Sequence, residues 1–206
     1  MGYVLRDYQV KASDAAVRFF SQEKSERNGI LVCPTGSGKS LIIADIAKRL
    51  NQNVLVLQPS KEILEQNYAK YRSYGMENCS IYSASFNSKE ISDVTFATIG
   101  SIMSHIDDFD HFKAIIIDEC HGVNANGGMY DTFINKVKRK VLGLTATPYR
   151  LSTSQGIMTQ DKGFLPNGSY KDKDYFIDDF HPKPGVSLSN ACILKFLTRT
   201  RPRIFH

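Results

Sequence analysis

The chain has 206 residues, room for one domain and part of a second at the usual ~150 residues per domain. Hydrophobic residues make up 42% and charged residues 23%, which excludes a disordered, collagen-like or disulfide-stapled chain. Lys and Arg number 26 against 21 Asp and Glu, and the resulting +5 permits a nucleic-acid partner without requiring one. From residue 5 to about 147, short apolar runs alternate with amphipathic stretches, the rhythm of strands and helices taking turns around a parallel sheet. In chain order the predicted strands are Gly29 to Cys33, Val54 to Gln58, a weaker one near Cys79 to Tyr82, Val94 to Thr98, Ala114 to Asp118 and Val141 to Thr145. Each is short, rich in β-branched residues and unbroken by charge, as a strand covered on both faces should be. Between them, Lys39 to Leu50 and Ser60 to Tyr74 carry apolar residues at helical spacing. After Arg150 the texture turns to Ser, Gly, Pro and Asp, which predicts a linker, insertion or crossover, with a short helix over Asn190 to Leu197.

Apolar runs such as Ile30 to Cys33 and Ala114 to Ile117 are only four residues long, against the ~20 a membrane span requires, so no membrane role is expected. The opening Met-Gly-Tyr-Val-Leu-Arg has no basic-then-apolar signal layout. Cys33, Cys79, Cys120 and Cys192 show no Cys-x-x-Cys pairing, so neither a disulfide framework nor a zinc site is implied. Both features predict a cytoplasmic chain with reduced thiols.

The strongest chemical signal is Cys33-Pro34-Thr35-Gly36-Ser37-Gly38-Lys39-Ser40, which lies between a predicted strand and a predicted helix. Gly36 and Gly38 let the backbone N–H groups turn inward around a phosphate, at the positive N-terminal end of the following helix. Lys39 is placed to reach the β- and γ-phosphates, and Ser40 to offer a hydroxyl to Mg²⁺. The competing reading is an ordinary Gly/Ser-rich turn, for which Gly-Ser-Gly-Lys-Ser is an unusual sequence. The general P-loop pattern has glycine where Cys33 stands.

The second signal is Ala114-Ile115-Ile116-Ile117-Asp118-Glu119, a buried strand that ends in adjacent carboxylates. In a chain with a P-loop, Asp118 is placed to hold the Mg²⁺ shell and Glu119 to orient or deprotonate the attacking water. Cys120 reads as a small buried residue. His121 could be a loop-start side chain, or could hydrogen-bond across to another strand end and report nucleotide state.

Asp118-Glu119-Cys120-His121 resembles the DExH box of superfamily 2 helicases, and other segments agree in order and spacing from residue 5 to about 150. Leu5-Arg6-Asp7-Tyr8-Gln9 resembles the family's glutamine motif, where the resemblance implies that Gln9, assisted by Arg6, reads adenine. Pro34 to Ser40 is similar to motif I, in which the first P-loop glycine is often replaced, so that Thr35, Gly36, Ser37, Gly38, Lys39 and Ser40 would bind the nucleotide. Pro59 to Gln66 looks like motif Ia, and Ala97 to Ser101 loosely like motif Ib. Ser60, Lys61, Thr98 and Ser101 are therefore the candidate nucleic-acid contacts, offering hydroxyl, ammonium and helix N-terminal amides to phosphates. Gly143 to Pro148 looks like motif III, in which Thr145 and Thr147, with His121, would couple nucleotide state to nucleic-acid binding. The Leu-Arg-x-Tyr-Gln opening and the Leu-Thr-Ala-Thr-Pro-Tyr-Arg ending look closest to the branch of type III restriction subunits and RadD-like repair helicases.

The resemblance implies a three-layer α/β RecA-like P-loop NTPase domain with a mostly parallel central sheet, using ATP and Mg²⁺ to move on nucleic acid, DNA more than RNA. Residues 1–150 would form the ATP-binding domain, and residues 151–206 a linker or the start of a connection to a second RecA-like domain. No Gln-x-x-Gly-Arg-x-x-Arg pattern occurs, and Arg150, Arg199, Arg201 and Arg203 lack its spacing. An arginine finger contributes ~10³ to 10⁵ in rate in related P-loop enzymes, so a monomeric chain that binds nucleotide but hydrolyses it weakly alone is expected. The basic run Lys136 to Lys140 reads as solvated charge at a helix C-terminus, with a DNA contact as the alternative. Tyr3 and Tyr8 could stack on adenine or pack in the core. Two rivals stand beside this reading. One is a regulatory module that binds nucleotide without turnover, against which the intact Glu119 counts. The other is a different P-loop ATPase, against which Gln9, Pro59 to Gln66 and Thr145 to Pro148 count.

Overall fold

A computed structural model describes residues 4–22, 28–50, 53–123, 128–146 and 192–195. The elements in chain order are α1 (Asp7–Ser21), β1 (Gly29–Val32), α2 (Lys39–Leu50), β2 (Val54–Gln58), α3 (Lys61–Ser73), β3 (Cys79–Ser83) and β4 (Ser88–Lys89). They continue with β5 (Val94–Thr98), α4 (Ile99–Ile102), β6 (Ala114–Asp118), α5 (Met129–Val137), β7 (Lys140–Thr145) and β8 (Cys192–Lys195), with short 3₁₀ turns at Ala84–Phe86, Met103–Phe109 and Cys120–Gly122. The sheet runs β4-β3-β5-β2-β6-β7-β1-β8, and every pair is parallel except the β3–β4 pair at one edge. This is the mostly parallel α/β architecture that the strand–helix rhythm predicts.

The sheet is central because its strands are apolar on both faces. Val54, Val56, Phe96, Ala114, Ile116, Leu142 and Leu144 face a cluster with Ala12, Ala16, Ile42, Ile46, Leu64 and Tyr71 from α1, α2 and α3. Leu55, Leu57, Ala97, Ile115, Ile117 and Val141 face the opposite cluster, which holds Ile102, Phe109, Phe112, Phe133 and Val137. Successive strand residues alternate between the two layers, so a shift of register by one would exchange the whole set. Each fully buried Leu, Ile or Phe contributes about 1.5–3 kcal/mol by leaving water.

The helices meet the sheet through local rules. In α1, Ala12, Ala16 and Phe19 recur at i, i+4 and i+7 and form the buried stripe. The C-terminal end of α1 is tied to β7, since Lys140 Nζ donates to the carbonyls of Phe19, at 2.9 Å, and Gln22. In α3, Ser60 caps the first turn by accepting from Ile63 N at 3.4 Å, and Leu64, Asn67 and Tyr71 make the buried stripe. No helix among the described residues is long and apolar enough to cross a membrane.

Where the sequence predicts Gly29 to Cys33 and Val141 to Thr145, the strands are Gly29–Val32 and Lys140–Thr145; Val54–Gln58, Val94–Thr98, Ala114–Asp118 and Lys39–Leu50 stand as predicted. One expectation is overturned. Within Asn190 to Leu197, read as a short helix, Cys192–Lys195 is a strand parallel to β1 at the edge of the sheet, in the register Gly29↔Cys192 to Val32↔Lys195. A free edge of β1 would leave a row of backbone donors and acceptors unpaired, and pairing there overrides local helical propensity. The predicted linker between Arg150 and this strand lies outside the described residues, as do Tyr3, Thr147, Pro148, Arg199, Arg201 and Arg203.

A close approach fixes Gly143 in β7. A Cβ there would stand 2.5 Å from Cys120 Sγ and 2.7 Å from Cys120 Cβ, closer than packing allows. Gly143→Ala should therefore cost about 1–3 kcal/mol in chemical denaturation through overpacking. Gly100→Ala, in α4 where nothing lies within 4 Å of the added carbon, should be neutral or stabilising; equal behaviour of the two would refute the packing account. The thiols give a second test. Burial pushes the Cys33 thiol up to about 12 and the Cys120 thiol well above its usual value. N-ethylmaleimide at pH 8 should leave both unmodified in the folded protein, and mass spectrometry showing native labelling of either would contradict this burial.

Candidate nucleotide-binding site

β1 and α2 are joined by six residues, Cys33 to Gly38, whose path is fixed at both ends. Cys33 N donates to Thr145 O at 2.8 Å, extending the parallel ladder one residue beyond β1. The loop then folds with Ser37 N on Pro34 O at 3.0 Å, and α2 begins with Leu41 N and Ile42 N on Gly38 O at 2.9 and 3.1 Å. Gly36 and Gly38 sit at φ +76° and +79°, left-handed backbone that glycine adopts without cost. Nothing lies within 4 Å of where a Gly36 side chain would begin, so the loop is open on that side. A Cβ on Gly38 would stand 2.5 Å from Gln9 Nε2, so that glycine is also needed for a close approach to α1.

Gln9 makes that approach. It is buried, its Nε2 donates to Ser37 O at 2.8 Å, and its Oε1 accepts from Arg6 N at 2.9 Å. Its amide thus ties the start of α1 to the phosphate loop. Arg6 is exposed, with Nη1 3.4 Å from Tyr8 Oη. Ser37 Oγ is buried and is one of the described polar atoms without a protein partner. Thr35 and Gly36 are exposed, and Ser40 is half-buried in the first turn of α2.

Across the sheet edge, β6 delivers the two carboxylates in different directions. Asp118 ends the strand and is buried. Glu119 follows at φ 48°, ψ 47°, a left-handed conformation unusual for a residue with a side chain. Its carboxylate reaches the phosphate loop, where Lys39 Nζ stands 2.7 Å from Oε1. On its other side, His121 Nδ1 lies 3.2 Å from Glu119 Oε2 and 3.0 Å from Thr145 Oγ1, so His121 bridges Glu119 and the end of β7. Asp118 is fixed at both oxygens: Oδ1 accepts from Glu119 N at 2.9 Å, and Oδ2 from Asn67 Nδ2 at 2.8 Å. Burial raises the Asp118 carboxyl above its usual range, opposed first by the Asn67 hydrogen bond.

These groups fit a nucleoside triphosphate with Mg²⁺. The glycine loop opens toward the N-terminus of α2, whose first amides have no intrahelical acceptor. The orphaned Ser37 hydroxyl and the Lys39 ammonium, which keeps donors beyond the one on Glu119, suit phosphate oxygens. Ser40 and Asp118 would hold Mg²⁺, a cation that takes oxygen ligands and keeps several waters. Among the described residues no group of three or more His, Cys, Asp or Glu could cage a metal.

The other candidates gather along the same edge, beyond β2, β3 and β5. Ser60 caps α3, Lys61 Nζ lies 4.8 Å from the Phe86 ring centre, and Ser101 Oγ accepts from Ala84 N at 3.0 Å while lying 2.9 Å from Thr98 Oγ1. In the basic run Lys136 pairs with Asp107 at 2.5 Å and Arg139 Nη2 donates to Asp110 O at 3.2 Å. The sequence reading missed Asn67, Phe86 and Gln58. Asn67 carried a visible signal, a polar residue on the buried stripe between Leu64 and Tyr71. Gln58, fully buried at the end of β2, has neither amide atom partnered.

Comparison with known proteins bears on this site. Residues 2–150 match the family model described as type III restriction enzyme, res subunit. The chain is 28% identical over 149 residues to the DNA 3'-5' translocase XPB2 of Sulfurisphaera tokodaii, covering 71% of this chain and 31% of that protein. It is 32% identical over 158 residues to a provisionally named DNA 3'-5' helicase Rad25 of Haloarcula marismortui, covering 73% of this chain and 24% of that protein. The chain thus spans under a third of either relative. The structure of the UvsW helicase from bacteriophage T4 superposes with a TM-score of 0.57 at 20% identity, over 72% of this chain and 55% of that one. That of a nuclease-deletion mutant of the Type ISP restriction-modification enzyme LlaGI, in complex with a DNA substrate mimic, gives 0.59 at 21%, over 78% and 19%. The fold is that of a RecA-like helicase core, and the chain belongs to the type III restriction enzyme res-subunit family.

Proposed function

We propose that this chain is the ATP-binding half of an ATP-driven translocase or helicase that acts on DNA. The observation that carries the reading is the line of contacts Lys39–Glu119–His121–Thr145, which joins the phosphate loop to the end of β7 through the carboxylate best placed to handle water. ATP with Mg²⁺ supplies a phosphoryl group whose charge is partly neutralised by the cation. Gly36 to Ser40 bind and orient the phosphates, and Lys39 adds a positive charge where negative charge gathers. Glu119 aligns a water and accepts its proton, with Lys39 and His121 fixing the direction of the carboxylate. Thr145, bonded to His121, places the end of β7 in contact with the group that does chemistry. Residues 1–150 act as the ATP-binding domain and the later residues as the connection toward a second RecA-like domain, which supplies the arginines. Support for DNA comes from the relatives, two of which carry names that state DNA translocation or DNA unwinding. Ser60, Lys61, Thr98 and Ser101 line the loops that would meet the strand, and Phe86 beside Lys61 adds an aromatic face to that surface.

The test is ATP hydrolysis by the protein with and without single-stranded DNA, duplex DNA and RNA. DNA should raise the rate more than RNA. Glu119→Gln should lower kcat about 10²- to 10⁴-fold, the usual contribution of a positioned acid–base group, with ATP binding retained. Lys39→Ala should abolish binding itself. The 206-residue chain alone should bind nucleotide but turn over slowly. Brisk DNA-stimulated turnover by these residues alone would contradict the missing-arginine expectation, and a rate indifferent to every polymer would refute the motor reading.

A further inference from the structure

The contact between Asn67 and Asp118 joins two parts of the molecule that the sequence holds 51 residues apart. Asn67 is 3% exposed on the buried face of α3, and its Nδ2 donates to Asp118 Oδ2 at 2.8 Å. Among the described residues, the other hydrogen bond to that carboxylate is Glu119 N on Oδ1 at 2.9 Å, from the chain's next residue. Each oxygen therefore keeps lone pairs for a further ligand while its direction is set. Gln58 adjoins this position in the sheet, since Leu57 pairs with Ile117 in the β2–β6 register. Yet both Gln58 amide atoms are unpartnered, so the side-chain donor to Asp118 comes from a helix and not from the neighbouring strand.

The identity of that helix matters. α3 begins at Lys61, capped by Ser60, and Asn67 lies six residues further on, about 9 Å along the axis. The helix that presents the two hydrophilic residues at the sheet edge thus also holds the carboxylate at the end of β6. We propose that Asn67 is a positioning residue for the metal-holding carboxylate: it fixes Asp118 through Oδ2 and ties its orientation to the position of α3. This rests on the reading of Asp118 as a Mg²⁺-holding group. A displaced α3 would carry the amide with it and release Oδ2, leaving the buried carboxylate on the Glu119 N–H without its side-chain donor from α3.

The experiment is calorimetric binding of ADP to the 206-residue protein, in EDTA and across a MgCl₂ series, for wild type, Asn67→Leu and Asn67→Ala. Thermal melting of the nucleotide-free proteins shows which variants are folded. The leucine variant keeps the volume and removes the donor; the alanine variant serves if the leucine one fails to fold. Removing an outer partner of a metal-holding group typically costs 10- to 100-fold in metal affinity. The half-saturating Mg²⁺ concentration should therefore rise about 10-fold or more, while ADP affinity in EDTA stays at the wild-type value because the phosphate loop is untouched. Equal weakening in EDTA and in Mg²⁺ would make Asn67 a packing residue and overturn the proposal, as would an unchanged Mg²⁺ dependence in a folded variant. A wild-type protein whose ADP affinity ignores Mg²⁺ would overturn the proposal together with the assignment of Asp118, which separates that failure from the other two.

Discussion

The backbone turn at Glu119 is the constraint from which the site follows. Had the chain continued extended past Asp118, neighbouring side chains would have pointed to opposite faces of the sheet, one into each apolar layer. A left-handed residue at φ 48° breaks that alternation and sends the second carboxylate over the sheet edge to Lys39, while the first stays beneath α3 on Asn67. Such backbone costs of order 1–3 kcal/mol for a residue with a side chain, and it persists where the surroundings over-determine it. Here they do: Glu119 N is held by Asp118 Oδ1, Gly122 N by Glu119 O, and the carboxylate by Lys39 and His121. Cys120, directly behind, is wedged against Gly143 with no room for another carbon.

With the two acids divided in this way, each side of the sheet edge has its own task. Glu119, Lys39, His121 and Thr145 form a chain of charge and hydrogen bonds running from the phosphate loop to β7. Asp118 faces the helical layer built from α1, α2 and α3, where an amide rather than a charge fixes it. Gln9 performs a related service on the loop, with its amide seated on Ser37 O and its oxygen on Arg6 N. Two amides and one ion pair thus set the geometry, and neutral amides suit buried positions because a fixed hydrogen bond there needs no second charge to be desolvated.

Much of this could be read in advance, for physical reasons that differ by element. β2, β5 and β6 are apolar runs bounded by turn residues, buried on both sides, so composition alone marks their ends. The phosphate loop and Asp118-Glu119 are legible because glycine at left-handed positions and acid at the end of an apolar strand are local properties. Cys192–Lys195 is a strand where local pattern predicts helix, because its state depends on pairing with β1, across more than 150 residues of chain, and Cys-Ile-Leu-Lys suits either form. Asn67 falls within the predicted Ser60 to Tyr74 helix, but its partner is 51 residues away and no spacing rule encodes it. The tie between Gln9 and Ser37 O spans 28 residues of chain, so the glutamine motif shows the residue but not this contact. The contact of His121 with the end of another strand, anticipated as a kind of contact, is seen with Thr145 as the partner.

In the proposed function Lys39 and Glu119, which share an ion pair, divide two tasks, phosphate binding and water handling. A crystal structure of the protein with Mg²⁺ and a non-hydrolysable ATP analogue tests it most directly. The account predicts the triphosphate in the Gly36 to Ser40 loop, Lys39 Nζ moved from Glu119 Oε1 to the phosphate oxygens, and the Glu119 carboxylate turned toward a water in line with the terminal phosphate. A nucleotide bound elsewhere, or one bound in the loop with the 2.7 Å Lys39–Glu119 pair still closed and no water beside Glu119, would contradict it.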